Sequence, residues 1–384
     1  MGRIIIAATM ITTLLGGLSA QRFLDEYWQK KPLLVRQAIP GFSGLPSLPG
    51  PRALLDLACR DDVESRLVAR QGDHWEIARG SFKRRDFKRS AGCRWTVLVQ
   101  GVNLHLEEAD RLMREFAFIP YARLDDLMVS YAVDGGGVGP HFDSYDVFLL
   151  QGIGRRRWRI GAQRDKTLID DLPLKILSDF RPSRDLLLEP GDLLYLPPQW
   201  AHDGIAVGPC MTWSIGFRAS PTQDLAEQFL IHLQDHVRLP GRYADPDLQR
   251  QNHPAEISAA MIDQVAAMLA KIRWNRGTVR EFLGRHLTEP KPHVYFDVPE
   301  RPLSPARFAA RCGRLGLRLD PRAQMLFSGR RFYLNGEPCA APRGERAALR
   351  RLADRRELES LQGLSAATVA MLHGWYLDGF LAPR

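Results

Sequence analysis

At 384 residues, 45% apolar and 25% charged, the chain has room for two or three domains and the balance of an ordinary globular protein, which excludes a largely disordered or fibrous one. Its net charge of +9 is uneven: residues 301–384 hold fifteen Arg and no Lys against seven acids, suiting either an Arg-rich solvated surface or contact with a polyanion such as RNA. Cys59, Cys93, Cys210, Cys312 and Cys339 are odd in number and form no C-x-x-C pair, which argues against a disulfide framework or a zinc–thiolate site and fits a reducing compartment.

The first twenty residues, MGRIIIAATMITTLLGGLSA, resemble a short signal peptide but carry Thr12, Thr13 and a weakly basic start. No other stretch approaches the ~18 apolar residues of a membrane span. A cytoplasmic protein with no membrane segment and an extended start, residues 1–17, is expected. Ser19 is placed to cap a helix running to Trp28, and Leu33–Val35 read as a short strand. Strands are predicted at Glu64–Arg70, Trp75–Ala78 and Trp95–Gln100, and a helix over residues 107–117. Six short β-rich segments follow: Leu127–Val133, Val147–Gln151, Arg155–Ile160, Arg184–Leu188, Leu193–Leu196 and Met211–Phe217. Gly or Pro separates them, the pattern of a barrel or sandwich. After Ser220 the period becomes helical over 222–238 and 254–286. A Pro-rich linker, Pro290 to Pro305, precedes a last segment with helices and a hairpin, Gln324–Phe327 and Arg331–Leu334.

The β-rich centre carries the chemistry. In Asp134-Gly-Gly-Gly-Val-Gly-Pro-His141-Phe-Asp143, His141 and Asp143 stand two apart, so on a strand end they share a face. His202 follows a Pro190-Gly191-Asp192 turn and the strand Leu193–Leu196. Two His and one carboxylate make the facial triad of non-haem Fe(II) oxygenases, which leaves positions for a 2-oxo acid and O₂. A bare H-x-D is common by chance, and His202 alone reads as an ordinary loop residue. Their coincidence with an oddly placed arginine carries the reading. In Arg155–Ile160, alternation sends Arg156 to the same side as Trp158 and Ile160, into the barrel. An inward guanidinium needs a carboxylate: either the distal end of 2-oxoglutarate, or a protein acid such as Asp146. The stretch Gly135–Gly139 leads into no Gly-Lys-Ser/Thr and reads as a flexible rim near the metal, not a phosphate loop.

At these residues the sequence resembles the JmjC-type ribosomal oxygenases, in particular the bacterial ribosomal protein arginine hydroxylases. The strings FLDEYWQKKP (Phe23–Pro32), DDLMVS (Asp125–Ser130), GGGVGPHFDSYD (Gly135–Asp146), GRRRW (Gly154–Trp158), EPGDLLYLPP (Glu189–Pro198) and SIGFRA (Ser214–Ala219) carry the likeness. It spans most of the chain from about residue 14 and loosens after 290. The pattern departs at Asp134, where Pro is expected, and at Thr212, where Asn is expected.

The resemblance implies an α+β chain in three parts: a JmjC/cupin double-stranded β-helix, 18–219; a helical dimerisation region, 220–290; and a winged-helix-like C-terminal domain, 300–384. It implies iron at His141, Asp143 and His202, and 2-oxoglutarate at Arg156, with Ser130 assigned to the same cosubstrate. The implied reaction is 3-hydroxylation of an arginine in large-subunit ribosomal protein sixteen, by a homodimer. A substrate arginine would want an acid and flat apolar walls, for which Asp126, Met128 and Tyr145 are the candidates; Met128 as core and Asp126 as a turn cap are the alternatives. The basic C-terminal domain is a candidate for ribosomal RNA contact. Two rivals remain open: a JmjC lysine demethylase, and a non-catalytic cupin acting in ribosome assembly.

Overall fold

The computed structural model describes residues 13–42, 49–89 and 92–384, so most of the apolar leader lies outside the described residues. Its last leucines, Leu14 and Leu15, are fully buried in the core. Among the described residues no helix is long and apolar enough to cross a membrane. The chain divides into two compact units. One runs up to Ala219 and takes in Pro292–Asp297 and Asp320–Arg322; the other comprises Ser220–Lys291, Val298–Leu319 and Ala323–Arg384.

The first unit begins with helix α1, Ala20–Glu26, started by Ser19, whose hydroxyl accepts the Arg22 N–H. The helix stops two residues short of Trp28, in a turn where Gln29 has φ +57°. Nine strands then build one antiparallel sheet: β1 (Leu33–Val35), β2 (Ser65–Gln71), β3 (His74–Arg79), β4 (Arg94–Val99), β5 (Leu124–Ala132), β6 (Val147–Gly161), β7 (Arg184–Leu188), β8 (Leu193–Leu196) and β9 (Ala201–Phe217), with helices α2 (Pro51–Leu57), α3 (Arg84–Arg89), α4 (Val102–His105) and α5 (Glu107–Arg114) between the first five. Their order is β1-β8-β6-β9-β5-β4-β2-β3, with β7 on the free side of β6.

Two expected strands, Val147–Gln151 and Arg155–Ile160, are halves of the one strand β6, and the expected strand Met211–Phe217 is the second half of β9. Both strands turn a corner, β6 at Gln151–Arg155 and β9 opposite it, where the register shifts. Bulges of this kind bend a strand and raise its twist. Gly154 at the corner has φ +63°, and a Cβ there would sit 2.1 Å from the Pro209 carbonyl oxygen, so only glycine fits. The first half of β6 pairs with β8 and the end of β9; its second half pairs with β7 and the start of β9. The strands thus pass from one face of a jelly roll to the other. This is the double-stranded β-helix, and a cavity opens between its faces.

The larger part of the core lies on the outer side of β4, β5 and β9, where Phe23, Phe116, Phe148, Tyr195, Trp213 and Phe217 are buried. A smaller cluster of Val147, Leu149, Trp158, Ile160, Leu188 and Leu194 closes around the cavity wall.

The second unit starts with helices α6 (Thr222–His236), α7 (Ala259–Leu269) and α8 (Arg276–Thr288). The expected single helix over 254–286 is interrupted: Asn275 caps α8 by accepting the Gly277 and Thr278 N–H groups, and Thr278 returns a bond to the Asn275 N–H. That capping box starts a new helix where periodicity alone reads through. Beyond it come α9 (Pro305–Leu315), β10 (Leu317–Leu319), the meander β11 (Met325–Ser328), β12 (Arg331–Leu334) and β13 (Glu337–Cys339), then α10 (Arg346–Arg355), β14 (Glu357–Leu358), α11 (Ala366–Leu377) and β15 (Leu381–Pro383). Two three-stranded sheets result, β14-β10-β15 and β11-β12-β13, which with these helices make a winged-helix arrangement.

Candidate metal centre

His141 does not lie on a regular strand. It forms an isolated antiparallel bridge with His202, each backbone N–H donating to the other's carbonyl at 2.9 Å. Asp143 is in the loop beyond. The expected strand end at His141–Asp143 is therefore a loop docked on the start of β9, and His202, read as a loop residue, is the second residue of that strand. The bridge brings together residues sixty-one positions apart in the chain. Local alternation could not supply it, because the pairing is between segments.

The three side chains converge. Their ligand atoms all lie within 4.8 Å of one another. Asp143 Oδ2 is 3.5 Å from His202 Nε2, and Asp143 Oδ1 is 3.9 Å from His141 Nε2. Each imidazole is oriented from behind: Nδ1 of His141 donates to the Gly139 carbonyl and Nδ1 of His202 to the Trp200 carbonyl, both at 2.9 Å. That places a proton on each Nδ1 and turns both Nε2 atoms toward Asp143, where a divalent cation would take the place of the Nε2 proton that His202 shares with the carboxylate.

The three groups set one another's charge. Burial pushes the His141 imidazole down, reinforced by His202. Burial works against charge on Asp143, but the hydrogen bond and charge of His202 outweigh it and hold the carboxyl below its usual range. Burial likewise disfavours a charged His202, and Asp143 overcomes it and raises the imidazole.

The cavity beside these ligands measures about 530 Å³ and is lined from both faces of the jelly roll. The strand register explains who lines it. Ser130 on β5 pairs with Leu98 on one side and Thr212 on the other, and Thr212 pairs in turn with Gln151, so one row of side chains points inward. Met128 and Ser214 form the next row. Asp126, Met128, Ser130 and Tyr145 all reach the cavity. Asp126 also accepts the Gly101 N–H at 3.0 Å, so it caps that turn as well as lining the cavity. Tyr145 is 41% exposed at the mouth.

Arg156 lines the same cavity and is only 4% exposed, whereas Arg155 and Arg157 face solvent. Its Nε and Nη2 are buried with no hydrogen-bond partner among the described residues. Asp146, the alternative partner, is engaged elsewhere: it accepts from the Tyr195 hydroxyl at 2.6 Å and from Gln29 Nε2 at 2.9 Å. A buried guanidinium left unpaired costs several kcal/mol, and the cavity it faces has room for an anion. The donor set of two imidazoles and a carboxylate, with an orphaned cation in reach, fits an open metal site that holds a carboxylate-bearing ligand.

Sequence reasoning missed Thr96, whose buried hydroxyl also lines the cavity and has no partner among the described residues. A threonine in a strand carries no signal of its own; only the register across β4, β5 and β9 reveals it. The two departures from the family pattern find local partners. Asp134 Oδ1 accepts the Gly208 N–H at 2.7 Å, and Thr212 donates to Gln151 Oε1 at 3.0 Å.

The glycine stretch is tied down, contrary to the expected flexible rim. Gly135 donates to the Ala206 carbonyl, and Ala206 donates back to Gly136. A Cβ on Gly136 would meet the Trp95 carbonyl oxygen at 2.4 Å, and one on Gly137 the Gly204 carbonyl oxygen at 2.6 Å. The glycines permit close backbone packing that seats the His141 loop.

Comparison with known proteins places this geometry. Residues 111–225 match the JmjC domain family, and residues 271–382 match the ROXA-like winged helix family. The chain is 35% identical over 323 residues to the ribosomal protein uL16 3-hydroxylase of Escherichia coli K12, covering 83% of this chain and 85% of that protein. It is 35% identical over 261 residues to a probable ribosomal oxygenase of Haemophilus influenzae, 66% of this chain and 61% of that one. The X-ray structure of E. coli ycfD superposes with a TM-score of 0.82 at 32% identity, over 95% of this chain and 98% of that one. The E. coli ribosomal oxygenase YcfD in complex with cobalt and 2-oxoglutarate superposes at 0.79, with the same identity and coverage. The chain belongs to the JmjC-domain ribosomal oxygenases that carry a ROXA-like winged helix.

Proposed function

We propose that this chain is an Fe(II)- and 2-oxoglutarate-dependent oxygenase that 3-hydroxylates an arginine of the large-subunit ribosomal protein uL16. The observation that carries the reading is the coincidence, in one cavity, of three converging ligand atoms and an unpaired buried guanidinium. His141, Asp143 and His202 would hold the iron, which with O₂ and 2-oxoglutarate supplies the oxidising chemistry and yields succinate and CO₂.

The chain's own share is positioning and exclusion of water. Arg156 would grip the distal carboxylate of 2-oxoglutarate bidentately, with Ser130 beside it. Buried Trp158, next to Arg156 on the strand, keeps that end of the cavity dry. At the other end, Asp126 would face the guanidinium of the target, with Met128 and Tyr145 as the flat walls along its methylenes. The cavity is large enough for a dicarboxylate and an extended arginine side chain together.

A homodimer through the helical region 220–290 and a cytoplasmic setting belong to the same reading; the five cysteines are all free. The domain limits 18–219 and 300–384 for the catalytic and winged-helix parts, and contact of the basic C-terminal part with ribosomal RNA, complete it.

The test is a turnover assay with purified uL16 fragments, read by mass spectrometry and by succinate release. Gain of one oxygen on an arginine is the expected result. Loss of a methyl group from a methyl-lysine peptide instead would establish the demethylase, and absence of both products with metal and 2-oxoglutarate supplied would leave only a binding role.

A further inference from the structure

We infer that the tip of the β11–β12 hairpin and the outer face of α10 form a platform for single-stranded RNA. The inference rests on the ribosomal reading above for its choice of RNA, and on a separate set of residues for its location. The hairpin turns through Gly329 and Arg330, with Ser328 opposite Arg331. Just before the turn stands Phe327, 36% exposed, its ring supported from below by buried Phe332 at 5.5 Å. Phe327 thus packs on the hairpin's own core while part of it stays open to solvent at the tip.

Helix α10 supplies the cations. Arg350 Nη2 donates to the Gly329 carbonyl at 3.0 Å, and its Cζ lies 5.6 Å from the Phe327 ring centroid. The hydrogen bond holds the guanidinium over the ring, so a flat cation backed by an aromatic side chain is presented. Arg351 and Arg355 continue the exposed side of the same helix, whose other side buries Ala348, Leu349, Leu352 and Ala353. Arg330, Arg350, Arg351 and Arg355 form no ion pair with a carboxylate among the described residues. Arg331, by contrast, is neutralised by Glu281 at 2.7 Å.

Unpaired arginines around an exposed ring suit a polyanion whose units carry π faces. Bases stack on aromatic rings and on guanidinium planes, at about 1–3 kcal/mol per base, while the cations track phosphates. An anionic membrane would want apolar residues to insert, and Phe327 is the one large apolar side chain this face exposes.

The test is fluorescence anisotropy of the full chain with a labelled single-stranded RNA across a salt series. The triple variant R350Q/R351Q/R355Q should weaken binding at least about tenfold and lower the slope of log K against log salt by about two units, from the ~0.7 per phosphate contact of single strands. F327A should weaken binding severalfold with the slope unchanged. The control R307Q/R311Q, on helix α9, should bind as wild type. Equal loss in that control, or unchanged binding in the triple variant and F327A, would overturn the platform, as would binding to phosphatidylserine vesicles in place of RNA. Melting curves confirm that each variant folds. Turnover of a uL16 peptide by the triple variant should match wild type, so failure of the RNA platform and failure of the oxygenase reading give different results.

Discussion

Arg156 is costly to the fold and, in the function proposed here, necessary to the site. Alternation across Arg155–Ile160 was enough to predict its direction, because the apolar pair Trp158 and Ile160 marks the inward face. What alternation could not supply was the state of its partners: Asp146 was a plausible acid in sequence and is committed to Tyr195 and Gln29 in space. The guanidinium therefore waits, desolvated, for a ligand. Two consequences follow with opposite signs. Arg156→Met, of similar volume, should raise the melting temperature of the ligand-free protein, since it removes an unpaired buried charge. The same change should abolish the stabilisation by 2-oxoglutarate, which for the wild-type chain is about 2.7 kcal/mol at a hundredfold excess over Kd. Differential scanning fluorimetry with and without 2-oxoglutarate reads both. A variant that melts lower without ligand and is still stabilised by it would place the carboxylate anchor elsewhere.

The elements that hold the site were legible in kind and illegible in extent. Strand composition gave Arg184–Leu188 and Leu193–Leu196 their limits, since turns bound both. It broke β6 in two, because Gly152 and Gly154 look like a turn and act as a bend. The metal loop was misread for a related reason: the pairing of His141 with His202 depends on where β9 begins, and Pro197–Trp200 hides that start. The strand behind the metal loop has a test. A Cβ on Gly204 would lie 2.6 Å from the Trp158 ring, whose centroid is 5.9 Å from that of His202. Gly204→Ala should cost about 1–3 kcal/mol and weaken metal binding by displacing the ring against His202; unfolding in urea and titration with Co(II) would measure the two effects. Intact cobalt affinity would mean that the strand yields without disturbing the ligands. Helix α5, Glu107–Arg114, carries a different strain at its end. Burial alone pushes the Glu115 carboxyl from its ordinary 4.5 up to about 7. The folded chain thus holds this proton more tightly than the unfolded chain does. The resulting stability is fully present below pH 4.5 and is lost as pH rises through 7. Glu115→Gln should match wild type at about pH 4 and exceed it by on the order of 1–2 kcal/mol at about pH 8, in urea unfolding at the two pH values. Equal stabilities at both would show that the carboxyl is solvated in the folded chain.

At the scale of the whole molecule, the helical region poses a problem that one copy of the chain does not solve. Helix α7 is apolar at nine of its eleven positions, yet none of its residues is buried. An isolated helix of that length is marginal in water, and most helical stability comes from covering an apolar face. Neighbouring α6 exposes Leu230 at 63% and Ile231 at 52%, and α7 exposes Ile262 at 56% and Leu269 at 57%. Scattered surface leucines need no explanation, but a helix with no buried residue does. In the proposed homodimer a second copy of this chain, docking the same helices by two-fold symmetry, would cover the face with its own complement. Light scattering behind size exclusion should give twice the 43.4 kDa chain mass. Leu230→Glu with Ile262→Glu should give the chain mass, because two carboxylates per copy would have to be desolvated at the contact. The double variant should keep its folded jelly roll, since neither residue belongs to that unit's core. A wild-type chain of single mass at micromolar concentration would remove the second copy as the cover for α7.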